Sequence, residues 1–171
     1  MLNKHGDLFN VDADAVCITT NGFVTVTRKS VMGRGCAAEL KKLWPEAPAV
    51  LGEHIIKNGN VTQVFGGKNI AIVAFPVKKV MDNANKGCTN IVKHAQMRYL
   101  SGACVPGFHL KADMERIQLS ALQLVDLADE HGWESIALPR PGCGAGELDW
   151  KEVEPMLQSI LDDRFTSYTF A

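Results

Sequence analysis

Two glycine-rich segments, Met32-Gly33-Arg34-Gly35-Cys36-Ala37 and Pro141-Gly142-Cys143-Gly144-Ala145-Gly146-Glu147-Leu148, constrain this chain more than any other feature. Each is expected to leave a β-strand and lead into an amphipathic helix. Glycine at such a junction lets backbone N–H groups come close to an anion, because no Cβ intervenes and positive φ costs little. The positive end of the following helix adds to the attraction for phosphate. Two such turns, far apart in sequence, are expected to form the two walls of one diphosphate cleft.

The pattern between and around them alternates strand with helix. Asp14 to Thr20 (DAVCITT) predicts a buried strand, and residues 22–31 (GFVTVTRKSV) suit either a hairpin arm or a mobile flap. Residues 35–43 predict a helix that Trp44-Pro45 stops, and residues 48–58 a second that ends at Asn58-Gly59. Residues 61–65 and 69–75 predict strands joined by a Gly66-Gly67 hairpin, the second apolar throughout and central. Residues 90–100 look helical within a stretch, 80–110, that resists placement. Residues 113–131 predict a helix with Gly132 after it, and 135–139 a strand feeding the second glycine turn. Asp149 is expected to cap a helix over 150–161, and 165–170 to close the chain as a strand. Such alternation argues for a sheet covered by helices on both faces.

The 171 residues, 46% of them hydrophobic, supply one sizeable core, so a single domain over 1–171 is expected. A formal net charge of −1 gives no general attraction to a polynucleotide, which a local patch would have to hold. Cys17, Cys36, Cys88, Cys104 and Cys143 form an odd set without a C-x-x-C pair, which fits free thiols in a reducing compartment. No run approaches the ~18 apolar residues of a membrane span, and the first residues pass straight into the domain pattern. A soluble, cytoplasmic protein with no membrane partner is expected.

The motifs G-D-L-F (6–9), D-A-V-C-I-T-T-N (14–21), M-G-R-G-C-A (32–37), F-P-V-K-K (75–79) and L-P-R-P-G-C-G-A-G-E-L-D-W (138–150) together resemble the macro domain family. The similarity is greatest to its branch of terminal ADP-ribose protein glycohydrolases and bacterial DNA ADP-ribosyl glycohydrolase antitoxins. The resemblance implies an α/β fold, a three-layer α/β/α sandwich with a central mixed sheet, and a macro-like domain carrying an insert at 80–110. It implies ADP-ribose contacts from Asp7 (to the adenine amino group) and Leu8, and from Thr20 and Asn21 (beside the distal ribose). Met32, Gly33, Arg34, Gly35 and Cys36 would continue the site. Pro141, Gly142, Cys143, Gly144, Ala145, Gly146 and Glu147 would complete the wrap around diphosphate and ribose. Lys78 matches the lysine that the glycohydrolase branch uses at the anomeric carbon, as a nucleophile toward an opened ribose or as a charge stabiliser. No metal and no cofactor is implied.

The chain departs from the family at Ile18, where an asparagine is frequent, and from the protein glycohydrolases at Gly146, where they carry an aspartate; the antitoxin branch has glycine there as well. Glu147 is adjacent, but a shift of one residue in a tight turn can point a carboxylate away from the site. Cys36 and Cys143 suit small buried filler, since no histidine is placed by motif to activate either. Cys88, His94, Cys104 and His109 match no common zinc spacing. Trp44, Trp133 and Trp150 suit packing, whereas Phe23 and Phe108 suit base stacking. The expected activity is hydrolysis of ADP-ribosyl linkages on a modified nucleic acid or protein by a monomer. Phosphate removal from ADP-ribose 1″-phosphate and non-catalytic ADP-ribose reading are the alternatives. The 80–110 insert is expected to act as a lid or specificity element, with Lys86, Lys93, Arg98 and Lys111 as a basic edge.

Overall fold

The computed structural model describes residues 1–169. Its strands are β1 (Leu2–His5), β2 (Ala15–Thr20), β3 (Gln63–Gly66), β4 (Ala71–Pro76), β5 (Met81–Asn83), β6 (Cys104–Pro106), β7 (Ile136–Leu138) and β8 (Phe165–Thr169). The α-helices are α1 (Gly35–Leu43), α2 (Ala47–Asn58), α3 (Met114–His131) and α4 (Trp150–Gln158). Six strands form a mixed sheet in the order β1-β8-β7-β2-β4-β3, parallel throughout except for β3, which pairs antiparallel with β4.

Central strands of a parallel sheet are apolar on both faces, because helices cover both. Alternate residues here divide cleanly between the layers. Ala15, Cys17, Val73, Phe75, Ile136 and Leu138 pack with α3 and α4 through Ile117, Leu124, Val153 and Leu157. Val16, Ile18, Ala74 and Ala137 pack on the opposite side with α1 and α2 through Leu40, Leu51 and Ile55. The result is the expected three-layer α/β/α sandwich. Gly132 ends α3 in the left-handed region (φ +67) while Trp133 N–H returns to Ala128 O, and the Asp149 carboxylate caps α4 by accepting from Lys151 N–H at 3.0 Å.

Four expectations need correction. The first glycine turn does not leave a strand: β2 ends at Thr20, and residues 22–31 intervene. Those residues are neither a full hairpin nor a free flap. One bridge joins Val24 to Ser30, Asn21 Nδ2 donates to Val31 O, and Arg28 O rests so close over Gly52 that a Cβ there would lie 2.1 Å away. The helix expected over 90–100 is only a 3₁₀ turn, Lys93–Arg98. Its apolar residues Ile91, Val92 and Ala95 join Ala84, Val105 and Leu110 in a small third core, and Met97 and Leu100 face solvent, so no continuous helical stripe is buried. Finally, α4 stops at Gln158 instead of Leu161; Ile160 and Leu161 N–H both turn back to Leu157 O. The expected strand end at Phe170 lies outside the described residues.

Residues 80–110 therefore form their own packed unit, in which the β5–β6 pair and three 3₁₀ turns surround the third core. No described helix is long and apolar enough to cross a membrane.

Candidate functional site

All five parallel strands deliver their carboxyl ends to one cleft of about 780 Å3. Gly6 and Leu8 follow β1, Thr19 and Thr20 end β2, Val77 and Lys78 follow β4, Arg140 follows β7, and Tyr168 and Thr169 end β8. Carboxyl edges of open α/β sheets are the usual place for ligands, because strand-to-helix turns and helix N-termini collect there.

The two glycine turns meet in this cleft. Gly33, Arg34, Gly35 and Cys36 line it from the first, and Gly142, Cys143, Gly144, Ala145 and Gly146 from the second. Helix α1 opens toward the same space: Gly35, Cys36 and Ala37 line the cleft, the N-cap Arg34 makes no side-chain cap bond, and the first turn holds no acidic residue. Its leading N–H groups and the positive end of its dipole thus face the cavity. In the second turn the close approach is obligatory. A Cβ on Gly146 would lie 2.6 Å from both Ala112 Cβ and Gly142 O, and Gly142 sits at φ +76 against Ile117 and Leu148.

The remaining sequence candidates divide. Leu8, Thr20 and Asn21 line the cleft, and the shielded Thr20 Oγ1 has no partner in the protein. The Asn21 side chain chiefly ties the wall, donating to Val31 O and accepting from Phe23 N–H. Asp7 stands outside the lining, exposed, with Oδ1 accepting Phe9 N–H at 2.9 Å. Met32 turns into the core beneath α1, Pro141 is buried behind the second turn, and Glu147 faces residue 93; none of the three lines the cleft.

Lys78 is 7% exposed and lines the cleft. Burial brings its ammonium down from 10.5 to about 8, Glu147 opposes the shift, and Arg34 adds to it. The lysine therefore divides between charged and neutral forms near physiological pH. Burial acts oppositely on the thiols, raising Cys36 and pushing Cys143 up to about 11, so neither is an activated nucleophile.

Several cleft residues escaped the sequence reading. His94 and His109 enter the lining from residues 80–110 beside Phe108, in contact with one another: the Phe108–His109 ring centroids are 4.6 Å apart, and Tyr99 Oη meets His109 Nδ1 at 2.6 Å. Burial, with Arg98, His94, Lys78 and Arg34 nearby, lowers His109 below the ordinary imidazole value, which favours its neutral form. Lys86, Lys93, Arg98 and Lys111, expected as a basic edge, do not line the cleft. Phe23 packs edge-on against Phe108 at 5.1 Å. Trp44 stacks on Phe65 and Trp133 on His131, as packing residues, but Trp150 lines the cleft with the Arg140 guanidinium 5.0 Å over its ring. Its position directly after the Asp149 cap was the available signal; the two histidines stand out in the sequence only as zinc candidates within the 80–110 insert, and no local motif aims either at the cleft. No group of three or more His, Cys, Asp or Glu among the described residues could hold a metal ion.

A family model described as Macro domain matches residues 25–157. The DNA ADP-ribosyl glycohydrolases of Mycobacterium tuberculosis and Mycobacterium bovis are each 28% identical to the chain over 168 residues, covering 91% of it and 37% of their own length. The chain thus spans little more than a third of these curated relatives. Among solved structures, the macrodomain of Thermus aquaticus DarG superposes with a TM-score of 0.68 at 21% identity, covering 99% of this chain and 97% of that one. The macrodomain of Mycobacterium tuberculosis DarG gives 0.64 at 22% identity with the same coverage. Thermosipho africanus DarTG in complex with ADP-ribose gives 0.65 at 18% identity, covering 95% of this chain and 39% of that one. At these identities the structures share the fold.

Proposed function

The chain belongs to the macro domain family, and from that premise we propose that its cleft binds ADP-ribose and that Lys78 acts at the anomeric carbon to release an ADP-ribosyl group from a modified target. The observation that carries this reading is the convergence of both glycine turns and the uncapped start of α1 on one cavity whose wall also holds a shielded lysine. A diphosphate can accept from the N–H groups at 35–37 and from those at 144–146, while the Cys143, Glu147 and Leu148 N–H groups are already bonded to protein carbonyls, and the helix dipole favours its charge. The cavity volume lies within the ~300–1,000 Å3 of small-molecule sites. Thr20 Oγ1 is available to a ribose hydroxyl or a phosphate oxygen. Asp7 has one carboxylate oxygen on Phe9 N–H and the other open to the adenine amino group.

Lys78 supplies the chemistry. Its neutral fraction can add to C1 of a ring-opened ribose; the bond from C1 to the target then breaks, the target leaves with the proton shed by the amine, and water hydrolyses the resulting imine, which releases ADP-ribose and restores the lysine. Cys36 and Cys143, with raised thiol values, do not compete for that role. His94, Phe108 and His109 form an aromatic wall of edge-on rings that can meet the group linked to the ribose, so target choice rests with residues 80–110. The curated relatives are named for action on DNA, which supports an ADP-ribosylated nucleic acid as the target. Free cysteines support a reducing compartment such as the cytoplasm.

The test pairs titration with turnover. Calorimetry should find ADP-ribose bound more tightly than AMP. Single-turnover assays should show release of ADP-ribose from a modified oligonucleotide, faster than from a modified protein. Lys78→Ala should cut that rate by ~100-fold or more while leaving ADP-ribose affinity nearly intact. Equal affinity for AMP would remove the cleft assignment. Full turnover by Lys78→Ala would remove the lysine, and binding without turnover on either target would leave a reader.

A further inference from the structure

Glu147 stands in the second glycine turn with a left-handed backbone, φ +61, a conformation that residues with side chains adopt only at a cost. Gly146 before it has no room for a side chain, so a carboxylate at this point of the turn has to stand at 147. Glu147 Oε2 accepts the Lys93 N–H at 2.8 Å, whereas Oε1 is shielded from solvent without a donor in the protein.

The bond joins two walls of the cleft. Lys93 opens the 3₁₀ turn whose next residue, His94, lines the cavity, and Gly146 lines it from the other side. The end of the insert is already held by backbone bonds, Ala112 N–H to Gly146 O at 2.9 Å and Asp113 N–H to Val77 O at 2.8 Å. Among the described residues, Glu147 makes the one side-chain hydrogen bond that fastens the 86–100 half to the second glycine turn. Charged and titratable groups reach Lys78 from three elements: Arg34 from the first turn, His109 from the insert and Glu147 from the second turn, and of these only Glu147 is negative.

We propose that Glu147 is a positioning residue: one carboxylate oxygen fastens the 3₁₀ turn of the insert to the second glycine turn, and the carboxylate's charge balances Arg34 at the Lys78 ammonium. The charge half bears on turnover through the role given to Lys78 under the proposed function; the latch does not depend on that role. Glu147 differs from a ligand contact in that its effect on the cleft passes through Lys93 and Lys78.

Two variants separate the halves. Glu147→Gln keeps a carbonyl oxygen for Lys93 N–H and removes the charge. Glu147→Gly suits the left-handed backbone, so it should fold, and removes both. Hydrogen exchange of the 86–100 amides reads the latch. Competitive acetylation with trace acetic anhydride across pH, followed by mass spectrometry, reads Lys78 without any need for turnover. Glu147→Gln should lower the Lys78 midpoint by roughly half a unit or more with Lys93 exchange unchanged. Glu147→Gly should lower it similarly and speed Lys93 exchange about tenfold. An unmoved Lys78 midpoint in Glu147→Gln, or unchanged Lys93 exchange in Glu147→Gly, overturns the proposal. ADP-ribose titration of the unmodified protein is run alongside: its failure would sink the cleft assignment, while both other readouts still judge Glu147.

Discussion

Replacing Gly142 by alanine tests whether the second turn is built by close approach or merely tolerates glycine. The new methyl would lie 2.8 Å from Ile117 Cδ1, 2.9 Å from Ala112 Cβ and 3.1 Å from Leu148 Cδ1, on a backbone at φ +76. Alanine in the left-handed region costs about 1–2 kcal/mol. Crowding adds about 1–2 kcal/mol, the lower part of the overpacking range, since the Ile117 and Leu148 methyls can rotate away but the Ala112 Cβ cannot. The unfolded chain loses some freedom with alanine, which returns about 0.4–1 kcal/mol. From the middle of each range the net loss is about 2.3 kcal/mol, or roughly 5–9 °C in Tm for a chain of this size. Gly144 is the internal control: nothing lies within 4 Å of its added Cβ, and its φ is not in the left-handed range. Gly144→Ala should leave Tm within about 2 °C yet weaken ADP-ribose binding, because the methyl stands at the cleft lining. Thermal unfolding and calorimetric titration on both variants decide the matter. A Gly142→Ala protein as stable as the original would refute the packing argument, and a Gly144→Ala protein with full affinity would refute the close approach of ligand to this turn.

Lys78 carries a linkage. Its folded value of about 8 lies below the ordinary 10.5, so the unfolded chain binds more protons between them; the penalty on folding is complete below the folded value and fades as pH rises toward the unfolded one. Lys78→Met should therefore raise Tm near neutrality by an amount that shrinks on alkaline titration, and a pH-independent gain would contradict a desolvated lysine. Asp14 behaves in the opposite sense: its carboxylate accepts from Glu134 and Ser135 N–H, which hold it below the usual range, so its stabilisation is present above 3.8 and lost as pH falls through the depressed value. The Tm gap between the natural protein and Asp14→Ala should close on acidification, and a gap that persists would assign the effect to something other than the carboxylate charge. Iodoacetamide mapping should find the exposed Cys104 modified first and the buried Cys17 last. Faster labelling of Cys36 or Cys143 would restore either as a candidate nucleophile.

The fold was legible where each local signal had one tertiary use. In residues 15–18, alternate side chains serve the two helical layers, and an apolar run bounded by polar residues signals that use in the sequence itself. Helix α1 begins and ends where its glycine and Trp44-Pro45 place it. Residues 90–100 misled for a physical reason. Ile91, Val92 and Ala95 have spacing that suits a helix, but they fill a core too small to need one, and a 3₁₀ turn suffices to bring them together. The same spacing supports either structure, and only the size of the partner surface chooses.

The site divides along the same line. A glycine turn is demanded by its own backbone, so both turns could be named from sequence, and they do meet. A side chain's destination depends on what the backbone on either side of it can accommodate. Gly146 excludes any side chain because Ala112 crowds it, which displaces the only carboxylate of the turn to position 147. There a positive φ directs it toward Lys93 and not into the cleft lining where the motif suggested it belonged. His94 and His109 reach the cleft because the third core holds their segments beside Lys78, a consequence of packing among Ile91, Val92, Ala95 and Val105. The imidazoles that share the cleft with Lys78 are thus set by apolar contacts behind them. If residues 80–110 set target choice as proposed, substitutions in that small core should alter it before they alter affinity for ADP-ribose.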